Sequence, residues 1–253
     1  MPGRRLELTE DPGFQLICGD QGDGVYSIRL SRPGHPDWRM AAGDFLSFHE
    51  AMGIPFELAL DRRDREDMLE HYTGFSNGEP THSYNDPYLR AKEPRVLVHS
   101  TTTESWDSIR EEGELLSWNT LKARGALREQ EPIGAALGDP EDFRDYIMFG
   151  GGVTGELIVS SKQKGHLCTD PHIDYLAGAR LYFDAALMAR DGLLLRDGCH
   201  MKVRDRLPLE PYLIWAADWK AAGLGSPGSQ PETFANLADR EFSRRFKEYT
   251  LVN

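Results

Sequence analysis

The run VLVHSTTTESWDSI at residues 96–109 decides the fold that we predict for this chain. It opens with a short apolar stretch of Val and Leu after Pro94, which is typical of a buried strand. Thr101 followed three residues later by Glu104 has the form of a capping box, in which a hydroxyl and a carboxylate bind free N–H groups at a helix start. The sequence therefore predicts a strand over residues 95–98 that leads directly into a helix.

The predicted helix has one apolar face and a defined end. Trp106 and Ile109 fall on the same face, and Gly113 is placed to end the helix. His99 would then lie at the tip of a strand, beside unpaired N–H groups of the helix start, where anionic groups of ligands are often held. The alternative is a histidine that only caps a strand in an ordinary α+β core.

This segment resembles the first motif of the ADP-ribosyltransferase superfamily, which includes poly(ADP-ribose) polymerases, tRNA 2′-phosphotransferases and DNA-targeting toxins. The shared pattern is an apolar strand, a His followed by small or hydroxyl residues, and a helix with an apolar residue before a Gly-containing turn. Here the pattern is carried by His99, Ser100, Thr101, Trp106, Ile109 and residues 113–115. The resemblance implies that His99 orients the adenosine-side ribose of NAD, with Ser100 or Thr101 in support.

A second segment, GARLYFD at residues 178–184, looks like the strand on which the polymerases carry a Tyr that packs against nicotinamide. The resemblance implies this role for Tyr182, and it places Arg180 among the NAD-binding residues. A rival assignment gives the Tyr role to Tyr146, since residues 145–150 resemble the equivalent strand of the DNA-targeting toxins. Each tyrosine could also be a core aromatic.

A third segment, LEPYLI at residues 209–214, is similar to the late strand that opens with the family's Glu. The resemblance implies that Glu210 is a catalytic carboxylate. Cleavage of the nicotinamide–ribose bond develops positive charge on the sugar, which a nearby carboxylate stabilises. The alternative for Glu210 is a surface carboxylate beside Lys202 or Arg204, where an ion pair contributes little.

Two further segments contain residues of the kinds that bind phosphate. Arg196 and His200 flank a predicted hairpin turn and could bind a phosphate, as arginine and histidine do in the 2′-phosphotransferases, although a tight turn with incidental charges explains them too. The run at residues 150–152 is Gly-Gly-Gly, but it is not followed by the Lys of a phosphate loop. We interpret it as a hairpin or mobile loop rather than as part of a strand–turn–helix unit.

Composition restricts the class of protein and its partners. The chain has 253 residues, 40% of them hydrophobic, and 29 basic against 41 acidic residues give a formal charge of −12. This balance disfavours avid nonspecific nucleic-acid binding. Three cysteines without metal-knuckle spacing favour a reducing compartment and argue against a zinc site, and neither a membrane span nor a signal peptide is seen. We therefore expect a cytoplasmic protein without a metal or a membrane partner.

We predict an α+β protein with three regions: an accessory α+β region over residues 1–90, an ADP-ribosyltransferase-like body with a split β-sheet over residues 91–222, and a linker with a C-terminal helix over residues 223–253. Within them the patterns predict a hairpin at 14–30, helices at 43–52, 62–72 and 118–128, a loop at 73–94, and strands at 146–149, 156–161, 179–184, 193–195, 199–203 and 209–215.

The expected function is that of a transferase, which moves ADP-ribose from its substrate NAD to an unidentified nucleic-acid or protein acceptor and releases nicotinamide. A second hypothesis keeps the fold but removes a 2′-phosphate from RNA. A third is a catalytically silent module that uses the same fold to bind a partner.

Overall fold

The computed structural model of the chain describes residues 3–11, 16–20, 22–76, 95–127, 131–249 and 251. The chain forms two compact units. The first comprises Met1–Asp86, Gly134–Phe143 and Leu194–Lys202, and the second comprises Pro87–Ile133, Arg144–Leu193 and Val203–Asn253. The first unit thus contains two later segments that the sequence prediction assigned to the body.

The described residues form a mixture of helices and several small sheets, which is compatible with the predicted α+β class. The helices are α1 Trp38–Met52, α2 Arg62–Ser76, α3 Thr103–Glu112, α4 Trp118–Ala123, α5 Thr154–Lys164, α6 Ala185–Arg190 and α7 Pro231–Arg245. The strands are β1 Arg4–Thr9, β2 Leu16–Asp20, β3 Tyr26–Ser31, β4 Phe56–Ala59, β5 Val96–Thr101, β6 Glu114–Leu116, β7 Tyr146–Met148, β8 Tyr175–Leu176, β9 Ala179–Asp184, β10 Leu194–Asp197, β11 His200–Arg204, β12 Arg206–Pro208, β13 Leu213–Ala217 and β14 Gly228–Ser229. Two 3-10 helices cover Ile133–Leu137 and Glu141–Asp145.

The first unit contains a four-stranded sheet in the order β2–β3–β1–β4. The predicted hairpin is confirmed, since β2 and β3 pair antiparallel, whereas β1 runs parallel to β3 and β4 and was not predicted. Helix α1 begins at Trp38, five residues before the predicted start, and buries Phe45 and Phe48. A parallel connection from β3 to β4 requires such a crossover helix.

The second unit is built on a three-stranded antiparallel sheet in the order β13–β9–β5. One face of this sheet packs against a core to which β5, β9, α5 and α7 contribute. Phe234 and Phe242 of α7 are fully buried there, as predicted for the C-terminal helix. Because this helix has an apolar stripe at helical spacing, its burial against a sheet is the expected outcome.

Residues 156–161 were predicted as a strand, and this prediction is wrong, because they lie within α5. The β-branched and aliphatic run is short enough to suit either element. The helix signals stand beside the run: Lys162 and Lys164 occupy the last turn, and Gly165 closes the helix with a left-handed φ of 72°. Consequently Gly150–Gly152 does lie between a strand and a helix, contrary to our interpretation of it as a hairpin or mobile loop.

Smaller corrections concern the ends of elements. The N-cap of α3 is Thr102, not Thr101, and its hydroxyl accepts a hydrogen bond from the Ser105 N–H at 3.2 Å. Helix α4 ends at Ala123, before the predicted residue 128. Residues 209–212 form a turn, so that the predicted strand at 209–215 begins only at Leu213. The greater part of the predicted loop, residues 77–94, lies outside the described residues.

Candidate functional site

His99 is the fourth residue of β5 and is half-buried. Its Nδ1 atom lies 3.1 Å from the backbone oxygen of Met148. Since a carbonyl oxygen can only accept, the proton of the neutral imidazole belongs on Nδ1. Desolvation lowers the pKa of His99 to about 4, with a smaller contribution in the same direction from Lys162, and Met148 opposes the shift. The imidazole is therefore neutral at physiological pH.

The segment that follows β7 lies along the outer edge of β5. The N–H of Gly150 donates to the backbone oxygen of Val98 at 3.0 Å. The Phe149 ring meets the His99 ring edge-on, with centroids 6.2 Å apart and planes at 71°. Gly151 and Gly152 are exposed, and α5 begins two residues later. We call this group, comprising His99, Phe149 and Gly150–Gly152, the His99 site.

Tyr146 is close to this site in sequence and in space. It is the first residue of β7, two positions before the Met148 carbonyl that binds His99, and its side chain is buried. The structure therefore brings the Tyr146 segment beside His99. Its ring, however, is enclosed by protein, whereas the half-buried Phe149 is the aromatic residue of this segment that directly contacts the imidazole.

Tyr182 lies on the other face of the sheet. In the antiparallel pair of β5 and β9, His99 is opposite Leu181 and Val98 is opposite Tyr182. Directly opposed residues share a face and successive residues alternate, so that Tyr182 and His99 point to opposite sides. The Tyr182 ring is fully buried and stacks on Phe242 at 4.3 Å between centroids. The structure places it as a core aromatic.

Glu210 is exposed in the turn before β13. Leu213 and Leu97 both pair with Phe183, so they lie at the same level in the sheet. At about 3.3 Å per residue and about 4.8 Å per strand, roughly 10 Å or more separates the Cα atoms of His99 and Leu213. Glu210 lies beyond Leu213, away from His99. The structure does not bring these two side chains together.

Ser100 and Thr101 are divided between the two faces. Thr101 lies on the His99 face and is buried. Ser100 lies opposite Arg180, and its hydroxyl donates to the Glu156 carboxylate at 2.6 Å. Helix α5 comes so close here that a Cβ on Gly155 would stand 2.6 Å from the Ser100 Oγ and 2.9 Å from its Cβ. Only glycine permits this approach.

Arg180 is the centre of a buried network that the sequence did not reveal. Its guanidinium donates to both oxygens of Asp239 on α7 at 2.8 and 3.0 Å, and to the backbone oxygen of Gly152 at 2.9 Å. It also lies 3.4 Å from Glu156 on α5. Asp239 accepts a further hydrogen bond from the Tyr182 hydroxyl at 2.8 Å. One guanidinium thus ties β9 to two helices and to the glycine run of the His99 site.

The Glu156 carboxylate is fully buried and accepts every hydrogen bond that it makes. Besides Ser100, its donors are the Tyr175 hydroxyl at 3.0 Å and Arg180. Burial raises the pKa of Glu156 above its usual value and outweighs Arg180 and the two hydroxyl donors, which lower it. Burial lowers the pKa of Arg180, but Asp239, Tyr182 and Glu156 together outweigh this effect and the net shift is upward. The arrangement is that of a satisfied ionic junction, which fixes geometry rather than reacting.

Arg196 and His200 belong to the first unit, on β10 and β11. The predicted hairpin is present, with Gly198 at a left-handed φ of 64° in its turn. Its charges are not incidental to a surface turn, because Arg196 is buried and the neighbouring Asp197 is paired with Lys202 in the interior. His200 Nε2 shares a hydrogen bond of 3.1 Å with the Tyr26 hydroxyl.

A groove of about 700 Å³ lies elsewhere in the second unit, between the end of α5, the β8–β14 pair and the start of α7. None of the nine predicted site residues lines it. Within the described ranges no helix has the length and apolar content to span a bilayer, and no group of His, Cys, Asp and Glu is arranged to hold a metal ion.

Comparison of the sequence with protein-family models and with curated proteins gives no match to either.

Proposed function

We propose that the second unit binds NAD at the His99 site and transfers its ADP-ribose to an acceptor with release of nicotinamide. The observation that carries this proposal is the state of His99: a neutral imidazole held by Met148 at Nδ1, with the Phe149 ring against it and Gly150 bound to the backbone of the preceding Val98. The order of the motifs along the chain, which resembles that of the ADP-ribosyltransferases, supports the same assignment.

The chemistry of His99 suits recognition of a ribose. Because Nδ1 carries the proton and donates it to Met148, the second nitrogen has only a lone pair to offer. No hydrogen-bond partner for Nε2 is found among the described residues. A ribose hydroxyl can donate a hydrogen bond to this Nε2 atom. Because the half-buried imidazole is neutral, no charged group has to lose its hydration when this hydrogen bond forms.

The surroundings of His99 suit the rest of a dinucleotide. The Phe149 ring would offer an apolar surface to nicotinamide. The run Gly150–Gly152 has no side chains, so that a ligand can approach its backbone closely. Helix α5 begins at Thr154, and its N-cap Val153 makes no side-chain hydrogen bond to the N–H groups of the first turn. Because this helix start packs against Ser100 on the other face of β5, a pyrophosphate bound to these N–H groups would have to pass round the edge of β5 from His99.

In the proposed reaction the bond between the ribose carbon and the nicotinamide nitrogen breaks, and nicotinamide leaves with the bonding electrons. An oxygen or nitrogen of the acceptor then bonds to the same carbon and loses its proton to solvent or to a base. The positive charge on the sugar in the transition state calls for a carboxylate. Glu210 remains our predicted residue for this role, in which case the turn at residues 209–212 must approach the ligand.

A second candidate function is a binding module without catalytic activity. The observations that favour it are the burial of Tyr182 in the core and the separation of Glu210 from His99. A module of this kind would retain the His99 site for a nucleotide or a partner and lack the means to cleave the glycosidic bond.

The test compares nicotinamide release and NAD-dependent thermal stabilisation in the purified full chain. His99→Asn keeps a donor for Met148 but removes the Nε2 acceptor, and Phe149→Ala removes the ring. Both should weaken NAD binding, whereas Glu210→Gln should reduce release by about 10²–10³ with binding retained. Glu111→Gln, an exposed carboxylate on α3, is the matched control and should change neither.

The outcomes separate the hypotheses. Release that depends on His99 and Glu210 supports the transferase. Stabilisation by NAD without release supports the silent module. Loss of phosphate from 2′-phosphorylated RNA without nicotinamide release supports the 2′-phosphotransferase. If the chain neither binds NAD nor turns it over, the proposal is refuted.

A further inference from the structure

The first unit contains a buried charged cluster that the proposed function does not use. Lys202 donates to the Asp197 carboxylate at 2.6 Å, and both side chains are almost completely enclosed. His49 of α1 lies beside them, with its Nδ1 atom 3.5 Å from Asp197 Oδ1. An ammonium, a carboxylate and an imidazole therefore meet in the interior of one small unit.

His49 is held as a neutral imidazole with one unused nitrogen. Its Nδ1 lies 2.7 Å from the backbone oxygen of Phe45, which can only accept, so that the proton sits on Nδ1. Its Nε2 is buried without a hydrogen-bond partner among the described residues. The ring is surrounded by Phe45, Phe48 and Phe56, with centroids 4.0, 5.5 and 5.6 Å away.

A second proton on His49 would have no acceptor. It would bind at Nε2, inside the aromatic cage, where an N–H cannot be solvated. The charged groups that act on His49 come from three elements: Asp197 of β10 favours the imidazolium, while Arg4 of β1 and Lys202 of β11 oppose it. Only Asp197 attracts the extra charge. Its Oδ2 binds Lys202, and its Oδ1 lies 3.5 Å from Nδ1, which already carries a proton, rather than beside Nε2.

We propose that His49 makes the first unit an acid-sensitive element, in which a second proton on its imidazole opens the packing of α1 against the β10–β11 turn. This packing is close: a Cβ on Gly198 of the turn would meet the side chain of Phe45 at 3.7 Å. The proton is accommodated only when the imidazole reaches water, and that requires α1 and the turn to separate.

The direction of the pH dependence follows from the same contacts. Desolvation lowers the pKa of His49 below its usual 6.5, and Asp197 only partly opposes this shift. The open form therefore binds more protons, and the closed form loses stability as the pH falls below about 6.5. The contribution of Asp197, whose pKa is lowered from 3.8 because Lys202 and His49 outweigh its burial, is lost only in stronger acid. Burial lowers the pKa of Lys202, which acts in the same direction as His49, so a variant is needed to separate the two.

The experiment is hydrogen exchange measured by mass spectrometry on the full chain, at about pH 7.5 and about pH 5.5, corrected for intrinsic exchange rates. In the wild type we measure the equilibrium constant between the closed and the open form on peptides from residues 38–52 and 194–202, and call it the opening constant. We expect it to rise several-fold at the lower pH, to about tenfold at most. In His49→Phe, which fills the cage without a titratable group, the constant should be the same at both pH values. His172→Gln, at an exposed histidine, should retain the wild-type ratio.

Two results would overturn the proposal: an opening constant in the wild type that does not rise in acid, or a rise that persists in His49→Phe. Should the Phe variant not fold, His49→Asn, which keeps a donor for Phe45, serves the same comparison. The imidazole resonances of the wild type give an independent measurement. Titration of His49 at its ordinary pKa in the closed unit would refute the mechanism, whereas a neutral ring until opening supports it.

Discussion

Replacement of His99 by Asn should make the second unit more resistant to acid. The side-chain amide of Asn can donate to the Met148 carbonyl as Nδ1 does, but it cannot take up a proton in the accessible pH range. In the wild type the folded imidazole has a pKa of about 4, against 6.5 when it is exposed. The unfolded chain therefore binds a proton at His99 more readily than the folded one. As a result, the free energy of unfolding of the second unit falls as the pH is lowered from 6.5 towards 4.

The magnitude follows from the shift itself. A difference of about 2.5 pKa units corresponds to about 3 kcal/mol of free energy of unfolding when the pH lies well below both values. At about pH 5 the loss should already be about 2 kcal/mol, because the folded imidazole is still almost wholly neutral there. Such a loss is a sizeable part of the stability of a typical domain.

Urea denaturation at about pH 8 and about pH 5 measures this loss. In a Trp38→Phe background the remaining tryptophans, Trp106, Trp118, Trp215 and Trp219, all lie in the second unit and report on its unfolding. The wild type should lose about 2 kcal/mol more than His99→Asn between the two pH values, whatever the substitution costs at the higher one. Equal losses in the two proteins would show that His99 is not the desolvated imidazole inferred from its contacts.

Three further substitutions test the packing, each by urea denaturation. Gly155→Ala should destabilise the second unit by about 1–3 kcal/mol, because the new Cβ meets a serine of β5 at 2.6 Å, and an unchanged midpoint would contradict this close approach. Arg180→Met should lower the free energy of unfolding by about 3–5 kcal/mol, because it leaves two carboxylates without their cation. The control, Arg190→Met at an exposed arginine, should lower it by less than about 0.5 kcal/mol. Similar losses for the two variants would argue against a buried junction. Gly198→Ala and Gly53→Ala both force alanine to a φ of 64°, at about 1–2 kcal/mol, but only the former also meets an Ile side chain at 3.2 Å and should cost more. Equal costs would contradict this contact.

Elements defined by local chemistry were predicted well from the sequence. The apolar run before His99 forms β5, and the helix that follows ends at Gly113 in the left-handed conformation expected of a C-terminal glycine. The hairpin of β10 and β11 turns at Gly198 for the same reason. In each case a few neighbouring residues determine the element, so that its prediction does not depend on knowing the tertiary contacts.

Helix α5 shows where local signals fail. The apolar residues of this helix do not recur at helical spacing, because two polar residues, Ser160 and Ser161, lie on its buried face. Their hydroxyls donate to the Leu157 carbonyl in the preceding turn. A serine hydroxyl that donates to its own helix in this way can be buried, and Ser161 also accepts a hydrogen bond from the Cys168 N–H at 2.9 Å. The pattern of apolar residues in residues 156–161 therefore does not indicate which face of α5 is buried. The terminal lysines and Gly165 did carry the helix signal, and they outweigh a short aliphatic run.

The buried charges could not be placed from the sequence. Composition averages predict that Arg, Glu and Lys lie at the surface unless they are paired. The partner of Arg180 is Asp239, fifty-nine positions away on a helix predicted only as an apolar stripe. Pairing of this kind depends on how elements pack, and no spacing within either segment indicates it. The Ser100–Glu156 contact was hidden for the same reason, with the added obstacle that Glu156 was assigned to the wrong element.

The position of His99 relative to Tyr182 depends on a single quantity that neither motif contains, the register of β5 against β9. His99 pairs with Leu181; a shift of one residue would pair it with Tyr182 and bring both side chains to the same face. The observed register is set by burial, because it directs Val98, Tyr182 and the ionic junction of Arg180 to the α5–α7 core. A one-residue slip would turn that core towards the opposite face. The register is therefore fixed by the interior of the unit, and any ligand at His99 would be recognised on the face of β5 opposite Tyr182, where Phe149 contacts the imidazole.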